Sequence, residues 1–175
     1  MPLPGGRPIA LIGLMGAGKS AVAVRLAAVL GAGAVDLDQR IEEVAGRTIR
    51  EVFEQDGEAA FRARERAALA TVLDQGATVI ACGGGIVVDS RTRDELRRRC
   101  HVVWLEVSPR EASGRLIGLT AGRPLLTTAV PIERLQTLLA EREGHYATAA
   151  HARVQTDGLS PDQVARAVIA TLGVA

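Results

Sequence analysis

Residues 9–20 read IALIGLMGAGKS, four apolar residues running into a glycine-rich turn that ends in Gly-Lys-Ser. From Gly13 the spacing is a glycine, four residues, then Gly18, Lys19 and Ser20. This is the pattern of a loop whose backbone N–H groups wrap around a phosphate. The apolar run before the loop reads as a buried strand. Val22, Leu26, Val29 and Leu30 after it have helical spacing, and Gly31 supplies the stop. Lys19 is the only lysine in a chain with 21 basic residues. A compact ammonium directs a point charge into such a loop, whereas a guanidinium is planar, wider and forked. The expected nucleotide contacts are Gly13, Met15, Gly16, Ala17, Gly18, Lys19, Ser20 and Ala21. Lys19 would reach the β- and γ-phosphates, and the Ser20 hydroxyl would ligate Mg2+ accompanying ATP.

Outward from this unit the same alternation continues. AVDLD (34–38), ATVIAC (77–82), HVVWLEV (101–107) and ARVQT (152–156) read as further strands. Helical patterns separate them: one running to about Asp74 with interruptions near Gly46 and Gly57, an arginine-rich one before His101, and one from Ile132 to Ala149. Two more start with Ser-Pro, at Ser108 and Ser160, a serine cap followed by proline at the first helical position. Continuously apolar strands alternating with helices predict an α/β fold, a parallel sheet covered on both faces. With no linker or repeat, residues 1–175 are expected to form one domain, loose over 1–7.

Composition removes several function classes. The chain has 175 residues, a net charge of +1 and 47% hydrophobic residues, so it has no general basic surface for nucleic acid or an anionic membrane. The apolar run 9–15 is too short to span a membrane and lacks a cleavage-site pattern. Cys82 and Cys100 have neither a disulfide framework nor metal-ligand spacing, which suits a reduced cytoplasmic interior. His101, His145 and His151 make no ligand or triad pattern. With only two Phe, one Tyr and one Trp, the core must be built from aliphatic side chains, with Trp104 in a strand.

Four features point to what receives the phosphate. Asp36 and Asp38, two apart at a strand end, would project on one face at the carboxyl edge of the sheet. One suits magnesium through water and the other an acceptor hydroxyl, or Asp38 is a helix cap. In the helix after Gly57, Phe61, Glu65, Leu69 and Val72 form a stripe that Glu65 interrupts, with Arg62 within pairing reach. That pair either holds an arginine fork for a substrate carboxylate or is an ordinary solvated ion pair. Arg142 likewise interrupts the stripe of Ile132, Leu135, Leu139 and Tyr146, entering a polar pocket or snorkelling to the surface. Gly83, Gly84 and Gly85 close a strand where a ligand would touch backbone, or form a plain loop.

Taken together, GLMGAGKS, DLD, FRARE, GGG, GRPLL and EREGHY stand in the order and at about the spacing of the shikimate kinases, which the chain resembles from about Ile9 to its last helix. The resemblance implies transfer of the ATP γ-phosphate to the 3-hydroxyl of shikimate. It implies the nucleoside monophosphate kinase-like P-loop fold: a three-layer sandwich with a five-stranded parallel sheet in the order 2-3-1-4-5. A substrate-binding segment is expected at about 38–74 and a lid at about 117–130. Asp38 would hold the acceptor hydroxyl, Arg62, Arg142 and Gly83 to Gly85 would bind the acceptor, and Glu65 and Phe61 would support them. Arg123 would descend from the lid as a catalytic residue beside Lys19 and Asp38. Asp36 would sit in the water shell of the metal. Arg115 would meet the adenine, although its spacing to Arg123 is about one residue longer than the family pattern. The implied partners are ATP and shikimate, for a cytoplasmic enzyme expected to be a monomer.

Overall fold

The computed structural model describes residues 6–120 and 130–173, without the side chains of 118–120. Five strands form one parallel sheet: β1 (Ile9–Ile12), β2 (Ala34–Asp36), β3 (Val79–Ala81), β4 (His101–Glu106) and β5 (Ala152–Gln155), in the order β2-β3-β1-β4-β5. Seven helices are described: α1 (Lys19–Leu30), α2 (Leu37–Ala45), α3 (Ile49–Asp74), α4 (Ser90–Arg99), α5 (Pro109–Thr120), α6 (Ile132–Ala149) and α7 (Pro161–Leu172). β1 lies at the centre, with Ile9 opposite Val79 on one side and His101 on the other.

Strand alternation divides the core between two faces. Ile9 and Leu11 pack with Leu26 of α1 and Val168 of α7. Ala10 and Ile12 pack with Leu37, Leu69, Leu96 and Tyr146 on the opposite face. All four β1 residues are fully buried, as the unbroken apolar run requires.

The helix boundaries follow local chemistry. Thr48 and Glu51 form a reciprocal capping box at the start of α3, as do Ser160 and Gln163 at α7. Gly46 closes α2 with φ 63°, and α3 breaks at Gly57, where φ is 82°, matching both expected interruptions.

The strand expected over AVDLD is shorter than its pattern. β2 stops at Asp36, whose carboxylate accepts hydrogen bonds from the N–H of Asp38 (3.1 Å) and Gln39 (3.3 Å). Asp36 is thus the helix cap, and Asp38 belongs to the first turn of α2 instead of the strand end. The two carboxylates do not share a face by strand alternation; the helix start turns Asp38.

Three signature segments follow three adjacent strands. The glycine loop leaves β1, Asp36 closes β2 and the triple glycine follows β3, so β2-β3-β1 gathers them at the carboxyl edge of the sheet.

Candidate active site

Tight packing shapes the loop from Gly13 to Gly18. A Cβ at Gly13 would stand 2.4 Å from the Leu105 carbonyl oxygen, and one at Gly16 would stand 2.7 Å from that of Ala112. Ala17 is buried and its N–H closes on the Leu14 carbonyl at 3.1 Å, while Met15 packs on the core and Ala21 is exposed. Gly18 caps α1 in the left-handed region without a side-chain hydrogen bond, which leaves the first helical N–H groups facing the loop. Lys19 folds back along the loop, its Nζ donating to the carbonyls of Gly13 (2.9 Å) and Leu14 (3.0 Å). Desolvation lowers its pKa to about 8, against the opposing pull of Asp38 and Asp36. Ser20 Oγ donates to Asp36 Oδ2, which places a hydroxyl and a carboxylate side by side where α1 begins.

The triple glycine is a junction. A Cβ on Gly83 would come 2.5 Å from Asp38 Oδ1, one on Gly84 would come 3.4 Å from Met15 N, and one on Gly85 would come 2.7 Å from Arg62 Nη2. Three successive residues thus touch the second aspartate, the phosphate loop and the arginine of α3. Only a residue without Cβ allows such approach at Gly83 and Gly85. Burial raises the pKa of Asp38, Asp36 raises it further, and Lys19 counters both.

Arg62 is held from two directions. Its Nη1 donates to Glu65 Oε2 at 2.8 Å and its Nη2 reaches Glu58 Oε1 at 3.3 Å. The guanidinium lies 5.2 Å from the Phe61 ring, which itself packs on Phe53. Glu65 is 1% exposed, which overturns the solvated ion pair that its segment alone favours. Burial pushes its carboxyl up, and the Arg62 hydrogen bond pulls it back. Arg62 Nε is buried and makes no hydrogen bond among the described residues.

From α6, the charge of Arg142 lies close enough to act on both the Tyr146 phenol and the Lys19 ammonium. Tyr146 is fully buried, stacks on Trp104 at 5.5 Å between centroids, and donates through Oη to the Gly84 carbonyl at 2.5 Å.

A model of the shikimate kinase family matches residues 15–173. The chain belongs to the shikimate kinase family. It is 41% identical over 165 residues to a shikimate kinase from Symbiobacterium thermophilum, covering 94% of this chain and 95% of that one. It is 46% identical over 162 residues to one from Salinispora tropica, covering 93% and 95%. Among solved structures it superposes on shikimate kinase from Acinetobacter baumannii in complex with shikimate, with a TM-score of 0.84 and 34% identity over 93% of this chain and 90% of that one. A gluconokinase from Sinorhizobium meliloti, at 17% identity and a TM-score of 0.59 over 96% and 92% of the two chains, shares the fold alone.

Within the shikimate kinase family frame, two expected residues stand apart from this cluster. Arg123 lies outside the described residues, with most of the expected lid. Arg115 is described. Its guanidinium donates to the carbonyls of Gly16 (3.4 Å) and Thr156 (2.5 Å), and its Nε pairs with Glu111 at 3.2 Å. It braces the phosphate loop against the turn after β5. Cys82 and Cys100 are both buried free thiols, and burial pushes both pKa values up, that of Cys100 to about 12. His151 accepts from the Val102 N–H through Nδ1, a structural use. Among the described residues no group of three His, Cys, Asp or Glu side chains gathers as a metal site, and no helix is long and apolar enough to cross a membrane.

Sequence reasoning missed Tyr146 as a site residue, since at its place in the α6 stripe a buried aromatic is ordinary core. It missed Leu138, which is buried with Leu135 on α6 while Ile132 is only partly covered. It also missed Glu58, whose proximity to Arg62 follows from the helix restarting after Gly57.

Proposed function

We propose that this chain transfers the γ-phosphoryl group of ATP to the 3-hydroxyl of shikimate, giving ADP and shikimate 3-phosphate. The observation that carries the reading is the triple-glycine junction, where the Asp38 carboxylate, the phosphate loop and the Arg62 fork close on three successive glycines. Family membership supports the same acceptor.

The chemistry assigns roles in order. The loop N–H groups from Met15 to Ser20 and the α1 N-terminus take the β- and γ-phosphates, and Lys19 leaves the Gly13 and Leu14 carbonyls to meet them. Asp38 accepts a hydrogen bond from the acceptor hydroxyl. Its position beside Gly83 and Lys19 suits aiming that oxygen at the γ-phosphorus. The hydroxyl oxygen forms the new P–O bond as the bond to ADP breaks, and the hydroxyl proton passes towards Asp38. Arg62 and Arg142 hold the carboxylate, and Glu65 keeps the Arg62 fork turned towards it. The unpartnered Arg62 Nε and the exposed, easily displaced Glu58 leave that fork with donors to offer.

Ser20 and Asp36 fit Mg2+, since they present hard oxygen donors side by side and the metal keeps most of its waters. When bound, it supplies charge neutralisation across the β- and γ-phosphates. Arg123 would close over the phosphates from a lid at about 117–130, Arg115 would border the adenine, and α2 with α3 would form the acceptor-binding segment. A cytoplasmic monomer completes the proposal.

Steady-state ADP release measured across shikimate, gluconate and nucleoside monophosphates tests the assignment. Turnover with shikimate and none with the others is expected. Gluconate turnover without shikimate turnover would move the chain to the other acceptor.

A further inference from the structure

We propose that Thr156 is a positioning residue for the nucleotide: it aims the Arg115 guanidinium at the phosphate loop, an assignment that rests on the reading of that loop as the seat of ATP. The buried polar side chains among the described residues include Glu65 and Thr156. Glu65 holds Arg62, and Thr156 holds Arg115 in a comparable way. Arg115 Nη2 donates to the Thr156 carbonyl at 2.5 Å and Nη1 donates to Thr156 Oγ1 at 3.1 Å, so one residue takes both prongs of the fork. The Nε proton goes to Glu111 at 3.2 Å, one turn earlier on α5. With those three points held, Nη1 faces the Gly16 and Ala17 carbonyls across 3.4 and 3.5 Å.

The Thr156 hydroxyl is used on both sides. It donates to the Glu106 carbonyl at 3.0 Å while it accepts from Arg115, which fixes its rotor and turns a lone pair to the guanidinium. Glu106 follows Leu105, whose carbonyl stands against Gly13. Thr156 is therefore tied to the first glycine of the loop through the end of β4, and to its later residues through Arg115. The same turn pins the start of α5, since the Ser108 N–H donates to Asp157 Oδ1 at 2.9 Å. Ala112, one turn before Arg115, closes on Gly16. In a trans peptide the C=O and the next N–H point in opposite directions. Drawing the Ala17 carbonyl towards Arg115 thus turns the Gly18 N–H away from it, a direction in which a phosphate oxygen can meet it.

Thr156→Val tests this, because it keeps the shape of the side chain and removes only the hydroxyl. The Glu106 carbonyl keeps the backbone N–H of residue 156 at 2.9 Å, so no buried acceptor is orphaned. The Kd for ATP in calorimetry and the KM for ATP should both rise about tenfold, the scale of one hydrogen bond to a charged group. The KM for shikimate should stay within about twofold, and Thr156→Ser, which restores the hydroxyl, should bring ATP affinity back to within about threefold of the wild type. In an Arg115→Ala background Thr156→Val should add less than about twofold, because the hydroxyl acts through Arg115. Fully additive losses would overturn the assignment. So would an unchanged Kd for ATP, or equal rises for both substrates with a lowered Tm and no recovery in Thr156→Ser. Should Thr156→Val not fold, Thr156→Ala carries the same expectations and the same refutations. Calorimetry with ATP needs no turnover, so a protein that fails to phosphorylate shikimate refutes the proposed acceptor and leaves this link to be decided by ATP affinity.

Discussion

Gly85→Ala perturbs the proposed acceptor site through a single methyl group. Gly85 is not among the glycines with positive φ, so alanine fits its backbone without strain. The added carbon would stand 2.7 Å from Arg62 Nη2 and 3.0 Å from Nη1. Bringing the closer contact out to the 3.4 Å of ordinary packing moves the fork by about 0.7 Å. Glu65 holds the fork through its 2.8 Å bond to Nη1, so the movement strains or breaks that bond. A misplacement of about 1 Å at a positioning group costs on the order of a hundredfold. A loss of roughly tenfold to a hundredfold in kcat/KM for shikimate is expected by the same rule. Varying each substrate in a coupled ADP assay should put the loss on shikimate and leave the KM for ATP nearly unchanged. Gly144→Ala is the control, since nothing lies within 4 Å of its added carbon and the substitution falls inside α6. It should gain about 0.5–1 kcal/mol of stability with kinetics unchanged. A folded Gly85→Ala enzyme with wild-type kcat/KM for shikimate would refute the placement of Arg62 at the acceptor.

Lys19→Arg, conservative in charge, should lose about a hundredfold or more in kcat with Tm little changed, because the wider guanidinium does not fit the loop; near-normal turnover would show that the ammonium is not required. Arg142→Ala should weaken shikimate binding by roughly 2–5 kcal/mol in calorimetry while sparing ATP, and equal shikimate affinity would remove Arg142 from the site. Because desolvation lowers Lys19 to about 8, kcat/KM for ATP should fall as pH rises through about 8, where the ammonium is lost. The same lowered value means that the unfolded chain binds more protons between about 8 and 10.5, so this group's contribution makes stability rise with pH across that window. An ATP profile flat through this range would contradict the placement of Lys19 at the phosphates. On the acid side, the raised Asp38 pKa should make kcat/KM for shikimate fail at a higher pH than an ordinary aspartate would allow, and Asp38→Asn should abolish that limb together with most activity.

The loop and the alternating elements were legible because their signals are local. Apolar runs, capping residues and the glycine spacing each act within a few residues, and β1, α1, α6 and α7 lie where their patterns place them. Asp38 went astray because two local rules compete at DLD, strand alternation against helix capping, and capping by Asp36 won. The burial of Glu65 was not legible from its helix alone, where a solvated pair with Arg62 is the commoner outcome. It is decided by the sheet and by Gly85, which bring the opposite wall against the fork. Tyr146 was the least legible, since the contact that gives its hydroxyl a purpose joins α6 to a loop between β3 and α4.

The most direct test of the central claim is product identity: incubating the protein with Mg2+, ATP and shikimate and following the mixture by 31P NMR. One equivalent of ADP should appear for each equivalent of a new phosphate monoester on the 3-hydroxyl of shikimate. ADP without a phosphorylated acceptor, or phosphate on a different hydroxyl, would contradict the site as built here from Lys19, Asp38, Arg62 and Arg142.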